Sequence, residues 1–162
     1  MFACMLDTLS STRSFGKLMG KLIRMTSAVR CIFLTGEMGA GKTELTRSIV
    51  EGLPGGDKAL VASPSFSICN HYPTAPEILH CDLYRCHSDM PDELLDTIED
   101  KSKLVIIEWA NFMPAAAIPT EVLDIRLKEC DNQRLLTISP KGAQAEMLLQ
   151  NILTEWTKPS RR

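Results

Sequence analysis

The spacing of apolar residues predicts where helices and strands lie along the chain. Apolar positions three or four residues apart follow Ser10 and Ser11, either of which can cap a helix, and they recur over residues 148–156. Both stretches are therefore predicted to be amphipathic helices. Residues 31–35 and 104–107 are instead short, continuously apolar runs. Such runs are typical of strands buried inside a sheet.

Shorter stretches complete the predicted order of elements. Further strands are predicted at residues 61–70, with an interruption at Ser63-Pro64, and at 78–84, 122–127 and 135–138, with further helices at 44–50 and 91–98. Pro91 can open the second of these helices at its first position, and residues 129–133 are predicted to form a hairpin loop. Helices and strands that alternate in this way predict an α/β fold.

The segment between the 31–35 strand and the 44–50 helix carries a phosphate-binding motif. It matches G-x-x-x-x-G-K-[ST] and consists of Gly36, Glu37, Met38, Gly39, Ala40, Gly41, Lys42 and Thr43. A strand before this motif and a helix after it are the context in which it forms a P-loop. The sequence therefore predicts a P-loop NTPase-like three-layer α/β fold, with a mixed central sheet and helices on both faces.

Each residue type in the P-loop motif has a physical role. Glycines let backbone N–H groups approach phosphate oxygens closely at the N-terminus of a helix. The ammonium group of Lys42 is expected to reach the β- and γ-phosphates, and the Thr43 hydroxyl is expected to ligate Mg²⁺. The motif therefore predicts a protein that binds a nucleoside triphosphate together with Mg²⁺.

Length, charge and cysteine content limit the classes of protein to which the chain can belong. The chain has 162 residues, which fits one domain over residues 1–162, and its net charge of −2 provides no basic surface for gripping nucleic acid unaided. Residues 158–162 are predicted to form a flexible tail. The six cysteines show no paired spacing and are expected to be reduced thiols, and no apolar run is long enough to cross a membrane. A cytoplasmic location is expected.

Two acidic residues stand at predicted strand ends. Glu108 comes directly after residues 104–107, and ligands of open α/β sheets lie at the carboxyl ends of strands. Its carboxylate is a candidate to hold Mg²⁺ or to orient the attacking water; the alternative is an ordinary charged residue at a strand end. Asp82 shares a strand face with His80 and Tyr84, and it is a candidate magnesium ligand or water-positioning base.

The segment Ser63-Pro64-Ser65-Phe66 is a third candidate for part of the site. Many P-loop proteins use a hydroxyl on a loop downstream of the P-loop helix to sense the γ-phosphate and to order a switch segment. Ser65 is the candidate for this role. Taken alone, these residues also fit an ordinary Ser-Pro turn that leads into a strand.

These motifs, in this order, resemble those of the bacterial TsaE (YjeE) family. The resemblance runs from about residue 10 to about residue 138, and it rests on the P-loop and on three blocks, Ser63-Pro64-Ser65-Phe66, His80-Cys81-Asp82-Leu83-Tyr84-Arg85 and Ile107-Glu108-Trp109. The P-loop alone identifies no family, whereas the H-x-D-L-Y-R and I-E-W blocks together are specific. The resemblance implies a small ATPase of the biosynthesis of threonylcarbamoyladenosine (t⁶A) in tRNA.

The resemblance also implies cofactors, partners and residue roles. It implies a protein that binds ATP and Mg²⁺, hydrolyses ATP slowly and works with the threonylcarbamoyl-transferase TsaD and its partner TsaB, reaching tRNA through that complex. No contact with DNA or a membrane is expected. By position, Glu108 takes the role of the Mg²⁺ carboxylate, Asp82 that of the family's acidic site and Ser65 that of a switch-like threonine. With Lys42 they form the implied catalytic set, and Thr12 matches a family position near the adenine.

The chain departs from the family pattern at few positions. Cys81 stands where relatives have an aromatic residue, and Met38 stands where they have leucine. Two functions of different classes remain open, an ATPase whose turnover resets the tRNA-modifying complex and a nucleotide-dependent binding module in which hydrolysis is incidental. An unrelated small P-loop NTPase or kinase is a third alternative, but no N-K-x-D segment follows Glu108 and no Arg-rich lid is evident.

Overall fold

One sheet and four α-helices make up the part of the chain that the computed structural model describes, residues 1–26, 28–86 and 90–158. The strands are β1 (Phe2–Leu6), β2 (Cys31–Thr35), β3 (Cys69–Tyr72), β4 (Ile78–Asp82), β5 (Leu104–Glu108), β6 (Val122–Cys130) and β7 (Gln133–Lys141). The helices are α1 (Leu9–Met25), α2 (Lys42–Glu51), α3 (Asp92–Glu99) and α4 (Ala143–Trp156).

The seven strands form a mixed sheet in the order β1-β7-β6-β2-β5-β4-β3. The central strands β6, β2, β5 and β4 run parallel to one another. The outer pairings, of β7 with β6, of β1 with β7 and of β3 with β4, are antiparallel. The mixed central sheet predicted from the sequence is therefore confirmed.

Helices cover both faces of this sheet, because successive residues of a strand point to opposite sides. On one face, Leu45 of α2 and Leu149 of α4 share a buried apolar cluster with Ile106 of β5. On the other face, Leu94 of α3 packs in a second cluster with Ile107, the next residue of β5. The predicted three-layer arrangement is confirmed, with α1, α2 and α4 on one side and α3 on the other.

The parallel centre of the sheet gathers the candidate site residues at one edge. The P-loop follows β2 directly, and β4 and β5 end at Asp82 and Glu108. These two residues are partners across the parallel pair, and Glu108 is also in register with Leu34 of β2. Carboxyl ends of adjacent parallel strands are where open α/β sheets bind ligands.

Helices α1 and α2 approach each other closely at glycine positions. A Cβ atom added at Gly20 would lie 2.3 Å from the carbonyl oxygen of Ile49, and one added at Gly16 would lie 2.4 Å from Cβ of Ser48. Both distances are far shorter than a van der Waals contact, and close-packed interiors cannot absorb such an overlap without moving. This contact therefore fixes the position of α2, the helix that begins at the P-loop.

Gly20→Ala is expected to destabilise the protein by about 1–3 kcal/mol, the usual cost of overpacking a core. The sign is informative, because alanine is the better helix former by about 1 kcal/mol and would stabilise a helix that had room for it. Ser14→Ala, at an exposed position of the same helix, is the matched control and should change stability little. Urea denaturation measures both free energies of unfolding, and a more stable Gly20→Ala variant would contradict the close contact.

The segment before β3 differs from its prediction. A strand is predicted over residues 61–70, but only its last two residues belong to a strand, Cys69–Tyr72. Pro64 has no N–H to donate to a strand ladder, and Ile68 has a φ of 65°, which is outside the β region. These two residues keep the segment out of the sheet, and it forms a loop that reaches the end of β4 at Asp82.

Smaller differences concern the outer elements. β1 is not among the predicted elements, because all five of its residues are apolar and show no alternation in the sequence, although their burial alternates. Pro91 lies at the N-cap of α3 rather than at the first helical position. β4 ends at Asp82, so Tyr84 lies in a turn beyond the strand.

The expectation that the cysteines are all reduced thiols is wrong for one pair. Cys69 of β3 and Cys81 of β4 form a disulfide, with Cα atoms 4.1 Å apart. The antiparallel pairing of the two strands places these residues directly opposite each other, and no spacing in the sequence reveals that register. The other four cysteines are free: Cys4, Cys31, Cys86 and Cys130.

Two further expectations concern the surface and the C-terminal residues. Within the described ranges, no helix combines the length and the apolar character that crossing a membrane requires. Lys158, the first residue of the predicted tail, is exposed and pairs with Glu155 of α4. Residues 159–162 lie outside the described residues, and the single-domain organisation of residues 1–162 stays a prediction.

Candidate functional site

The P-loop connects β2 to α2 through backbone conformations that glycine permits. Gly36, Gly39 and Gly41 have φ angles of 145°, 81° and 102°, a region that L side chains rarely adopt. A Cβ atom at Gly36 would lie 2.3 Å from the carbonyl oxygen of Leu127, so the loop runs tightly against β6. α2 begins at Lys42, and the unpaired N–H groups of its first turn are available to an anion.

The three residues that stand between the glycines of the motif have different surroundings. Ala40 is buried in the main apolar cluster and anchors the loop to the core. Glu37 and Met38 are exposed, and Met38 lies on the rim of a cleft that Lys42 and Thr43 also line. The backbone carbonyl of Glu37 accepts a hydrogen bond from Nζ of Lys42 at 2.9 Å. Glu37 therefore helps to position Lys42 through its backbone and not through its side chain.

Lys42 is a buried cation at the base of the cleft. The residue is 5% exposed; its Nζ donates to the carbonyl oxygen of Gly36 at 2.8 Å and lies 4.2 Å from the centre of the Trp109 ring. Burial lowers the pKa of Lys42 from its usual value, and the carboxylates of Glu108 and Asp82 partly oppose that effect. Carbonyl oxygens and an aromatic face thus hold a desolvated positive charge where an anionic ligand would meet it.

Asp82 and Glu108 lie side by side across the ends of β4 and β5. They are 6% and 3% exposed, and both line a cleft of about 300 Å³ with Lys42 and Thr43. The Thr43 hydroxyl donates to Oε1 of Glu108 at 2.9 Å, which ties the first turn of α2 to β5. Two like charges this close and this buried favour the binding of a cation beside them.

The carboxylate of Asp82 also holds the loop that precedes β3. Its Oδ2 lies 3.2 Å from the Ser65 hydroxyl and 3.4 Å from that of Ser63; the two hydroxyls are 2.6 Å apart, so one donates to the other and the second donates to Asp82. Its Oδ1 accepts from the backbone N–H of Tyr84 at 2.9 Å. Ser65 therefore faces the cleft together with the candidate carboxylates. Ser63 belongs to the candidate segment of the sequence but was given no role there, and the structure places its hydroxyl beside Asp82 as well.

Two residues beside the cleft have left-handed backbone conformations. Trp109, with a φ of 58°, directly follows Glu108 and places its ring under Lys42. Ile68 has a φ of 65°, and its carbonyl oxygen accepts a hydrogen bond from the backbone N–H of Asp82 at 2.8 Å. Such a conformation costs a non-glycine residue about 1–2 kcal/mol. Strain of this kind concentrates at ligand-binding and switch segments.

A second hollow, of about 350 Å³, lies on the other side of the P-loop, between α1 and the β6–β7 hairpin. Thr12 is buried at its edge and donates to the carbonyl oxygen of Thr8 at 3.3 Å. Asn132 and Arg134 line the same hollow opposite Gly41. No sequence signal links this hairpin to the P-loop, so both residues were missed. The role of Thr12 toward the adenine stays a prediction.

The oxygen atoms of Thr43, Asp82 and Glu108 fit the chemistry of magnesium. Mg²⁺ prefers oxygen ligands, and proteins hold it through one or two carboxylates together with substrate phosphates and waters. In the part of the chain that the structure describes, no group of three or more His, Cys, Asp or Glu side chains is placed to hold a metal ion. Two carboxylates and a hydroxyl are a donor set that suits a cation bound jointly with a nucleotide.

Comparison with known proteins decides the family. The family model described as threonylcarbamoyl adenosine biosynthesis protein TsaE matches residues 6–136, most of the chain. The chain belongs to the TsaE family. The matched stretch contains the P-loop, Asp82 and Glu108, and it ends within β7, before α4.

Individual TsaE relatives agree with this family. The tRNA threonylcarbamoyladenosine biosynthesis protein TsaE of Bacillus subtilis is 33% identical over 121 residues, which are 74% of this chain and 75% of the relative. The TsaE of Rickettsia bellii is 30% identical over 135 residues, 81% and 89% of the two chains. The crystal structure of Bacillus subtilis YdiB has a TM-score of 0.73 at 25% identity and covers 95% of both chains.

Proposed function

We propose that this protein binds ATP with Mg²⁺, hydrolyses ATP slowly and acts in the formation of t⁶A in tRNA. Its TsaE family membership supports the pathway. One observation carries the chemistry: the P-loop lysine, the Thr43 hydroxyl and two adjacent buried carboxylates line one cleft. Thr43 and Glu108 are the residues that would hold Mg²⁺, with Asp82 beside them, and the ion's chemistry there is to neutralise charge on the phosphates.

The carboxylates and Ser65 are the proposed hydrolytic residues. A water that attacks the γ-phosphate needs a neighbouring acceptor to orient it, and Asp82 and Glu108 are the two carboxylates in the cleft. The hydroxyl of Ser65 belongs to a loop that reaches the site through Asp82. We propose that this loop responds to the γ-phosphate, because a hydrogen-bonded hydroxyl can exchange its partner when a phosphate oxygen arrives.

We expect the protein alone to hydrolyse ATP slowly, because the arginines that the structure describes are not placed to stabilise the transition state in the cleft. No arginine is among the described residues that line the cleft. Arg85, three residues after Asp82, instead stacks on the exposed ring of Phe66 at 4.8 Å. An arginine finger raises the rate by about 10³–10⁵ where one is present. A partner that supplies such a charge would therefore accelerate hydrolysis.

The proposed partners are TsaD and TsaB, with tRNA reached through their complex. Large apolar side chains are exposed at the rim of the cleft, with Met38 74% and Tyr84 43% exposed. Exposed apolar groups beside a polar site are typical of surfaces that dock another protein. The same feature favours the second candidate function, a binding module in which ATP orders the docking surface and hydrolysis is incidental.

Reconstitution with TsaD, TsaB and tRNA tests the proposed function. We expect the chain to co-purify with the partners when ATP is present, and to raise t⁶A formation over repeated turnovers. The partners should accelerate ATP hydrolysis by at least about tenfold, because none of the described residues that line the cleft is an arginine. Hydrolysis rates, co-purification and t⁶A content are measured with and without ATP, and EDTA provides the magnesium-free control.

Different outcomes separate the candidates. An ATP analogue that cannot be hydrolysed distinguishes the two main functions: if it supports repeated cycles of t⁶A formation, the protein is a binding module. Fast hydrolysis without partners would contradict the partner-dependent ATPase. If t⁶A formation does not change when the chain is omitted, the proposed pathway role is wrong.

A further inference from the structure

A buried line of hydrogen bonds runs from Glu108 to the segment before the Ser63–Ser65 loop. Oε1 of Glu108 lies 3.0 Å from Nε2 of His80. Nδ1 of His80 lies 3.1 Å from the Tyr72 hydroxyl, which lies 3.1 Å from the carbonyl oxygen of Ala62. His80 is fully buried and Tyr72 is 3% exposed. These contacts connect the cleft to the sheet edge without passing through solvent.

The chemistry of the groups sets the direction of these bonds. An ionised carboxylate only accepts hydrogen bonds, so Nε2 of His80 carries a hydrogen and donates to Glu108. The other ring nitrogen, Nδ1, faces the Tyr72 hydroxyl, whose single hydrogen is shared between Nδ1 and the Ala62 carbonyl oxygen, both 3.1 Å away. The two rings are also in contact, with centres 5.9 Å apart. The imidazole is therefore fixed at both nitrogens. Because His80 is held firmly, its hydrogen bond fixes the orientation of the Glu108 carboxylate.

Both donors to Glu108 bind the same oxygen. The Thr43 hydroxyl and Nε2 of His80 both lie within hydrogen-bond distance of Oε1. Oε2 is thus the oxygen left for a ligand in the cleft. Outer hydrogen-bond partners commonly orient metal ligands in this way, and their removal weakens metal affinity or activity.

We propose that His80 is a positioning residue of the magnesium–ATP site, which aims the Glu108 carboxylate, and that Tyr72 holds His80 in place. This inference rests on the function proposed above and adds to it a residue that does not itself face the cleft. It also ties both carboxylates to one segment, since Asp82 binds the Ser63 and Ser65 hydroxyls and Tyr72 binds the adjacent Ala62 carbonyl.

Two amide substitutions at His80 distinguish a residue that orients Glu108 from one that only fills space in the core. The side-chain nitrogen of glutamine can reach the place of Nε2, whereas that of asparagine reaches only the place of Nδ1. Both variants put an uncharged amide in the same buried position, so they share a cost in stability. His80→Gln retains the side-chain donor of position 80 to Glu108, whereas His80→Asn removes it and leaves the Thr43 hydroxyl as the remaining donor of the two.

The experiment titrates the ADP-bound protein with Mg²⁺ and monitors tryptophan fluorescence, which gives the Mg²⁺ concentration that each variant needs. The affinity for ADP is measured separately in EDTA. His80→Asn is expected to need about 10- to 100-fold more Mg²⁺, and His80→Gln no more than about threefold. ADP affinity in EDTA should stay within about twofold in both variants, because the P-loop holds the phosphates independently of Glu108. Tyr72→Phe removes only the hydroxyl and should shift the Mg²⁺ requirement in the same direction by less.

Three results would overturn the inference. His80 would only maintain the fold if His80→Asn and His80→Gln raised the Mg²⁺ requirement equally. The same would follow if the ADP affinity measured in EDTA fell by as large a factor as the Mg²⁺ requirement rose. If His80→Asn does not fold, an unshifted Tyr72→Phe decides against the inference. A wild-type protein that binds ADP but does not respond to Mg²⁺ would overturn the magnesium function itself, which is a distinguishable outcome.

Discussion

Lys42→Met is expected to weaken ATP binding by about 2–5 kcal/mol, the cost of truncating one partner of a buried charge pair, which is roughly a 30- to 4000-fold rise in Kd. The ammonium group is almost fully buried and is aimed by the Gly36 and Glu37 carbonyl oxygens. It is the charge in the cleft best placed to meet phosphate oxygens. Methionine keeps an apolar side chain of similar length, and it removes the charge together with the hydrogen bonds to the Gly36 and Glu37 carbonyl oxygens.

Isothermal titration of ATP and ADP measures the effect on affinity. Lys21→Met is the matched control, because Lys21 is exposed on α1 and should leave both affinities unchanged. Thermal unfolding without nucleotide checks that Lys42→Met remains folded. A Kd within about threefold of the wild-type value, a difference of less than 1 kcal/mol, would show that the P-loop of this chain does not grip phosphate through its lysine.

The features that could be predicted from the sequence have local signals. The P-loop is written in eight consecutive residues, and its glycines adopt the positive φ angles that the motif requires. β5 is a continuous apolar run, and Glu108 follows its last apolar residue. Parallel strands bring such ends together. These local rules were enough to predict the mixed sheet and to name residues that the structure places in one cleft.

The features that could not be predicted depend on residues far apart in the chain. The Cys69–Cys81 disulfide depends on the register of β3 against β4, which the sequence does not specify. Arg134 reaches the P-loop only because the hairpin folds beside it. His80 was one of three polar residues on a strand face that needed partners. Its partners, Glu108 and Tyr72, were set by neighbouring strands.

Glu108→Gln is expected to lower kcat for ATP hydrolysis by at least about 100-fold, a loss typical of removing one preorganised electrostatic group. The amide keeps the size of the side chain and an oxygen for Thr43 and His80, but it loses the charge that would hold Mg²⁺. ADP affinity in EDTA should change by less than about threefold, since the P-loop grips the phosphates. Glu99→Gln, at an exposed position of α3, is the matched control.

The nucleotide-free Glu108→Gln protein should also be more stable. Removing one of two adjacent buried carboxylates relieves their repulsion, and about 1 kcal/mol would raise Tm by roughly 2–4 °C in a chain of this size. If the Glu108 carboxylate instead stabilised the fold, Glu108→Gln would have a lower Tm than the wild-type protein. Thermal unfolding without Mg²⁺ distinguishes the two, and an unchanged kcat in a folded variant would remove Glu108 from the hydrolytic site.

The same variant decides what hydrolysis is for. Glu108→Gln is expected to bind nucleotide without turning it over, so it should enter the proposed complex with TsaD and TsaB without being reset. If turnover resets the complex, the variant should support a single round of t⁶A formation and then stop. If it sustains many rounds, ATP acts through binding alone, and the two carboxylates at the ends of β4 and β5 serve to order the docking surface around bound nucleotide.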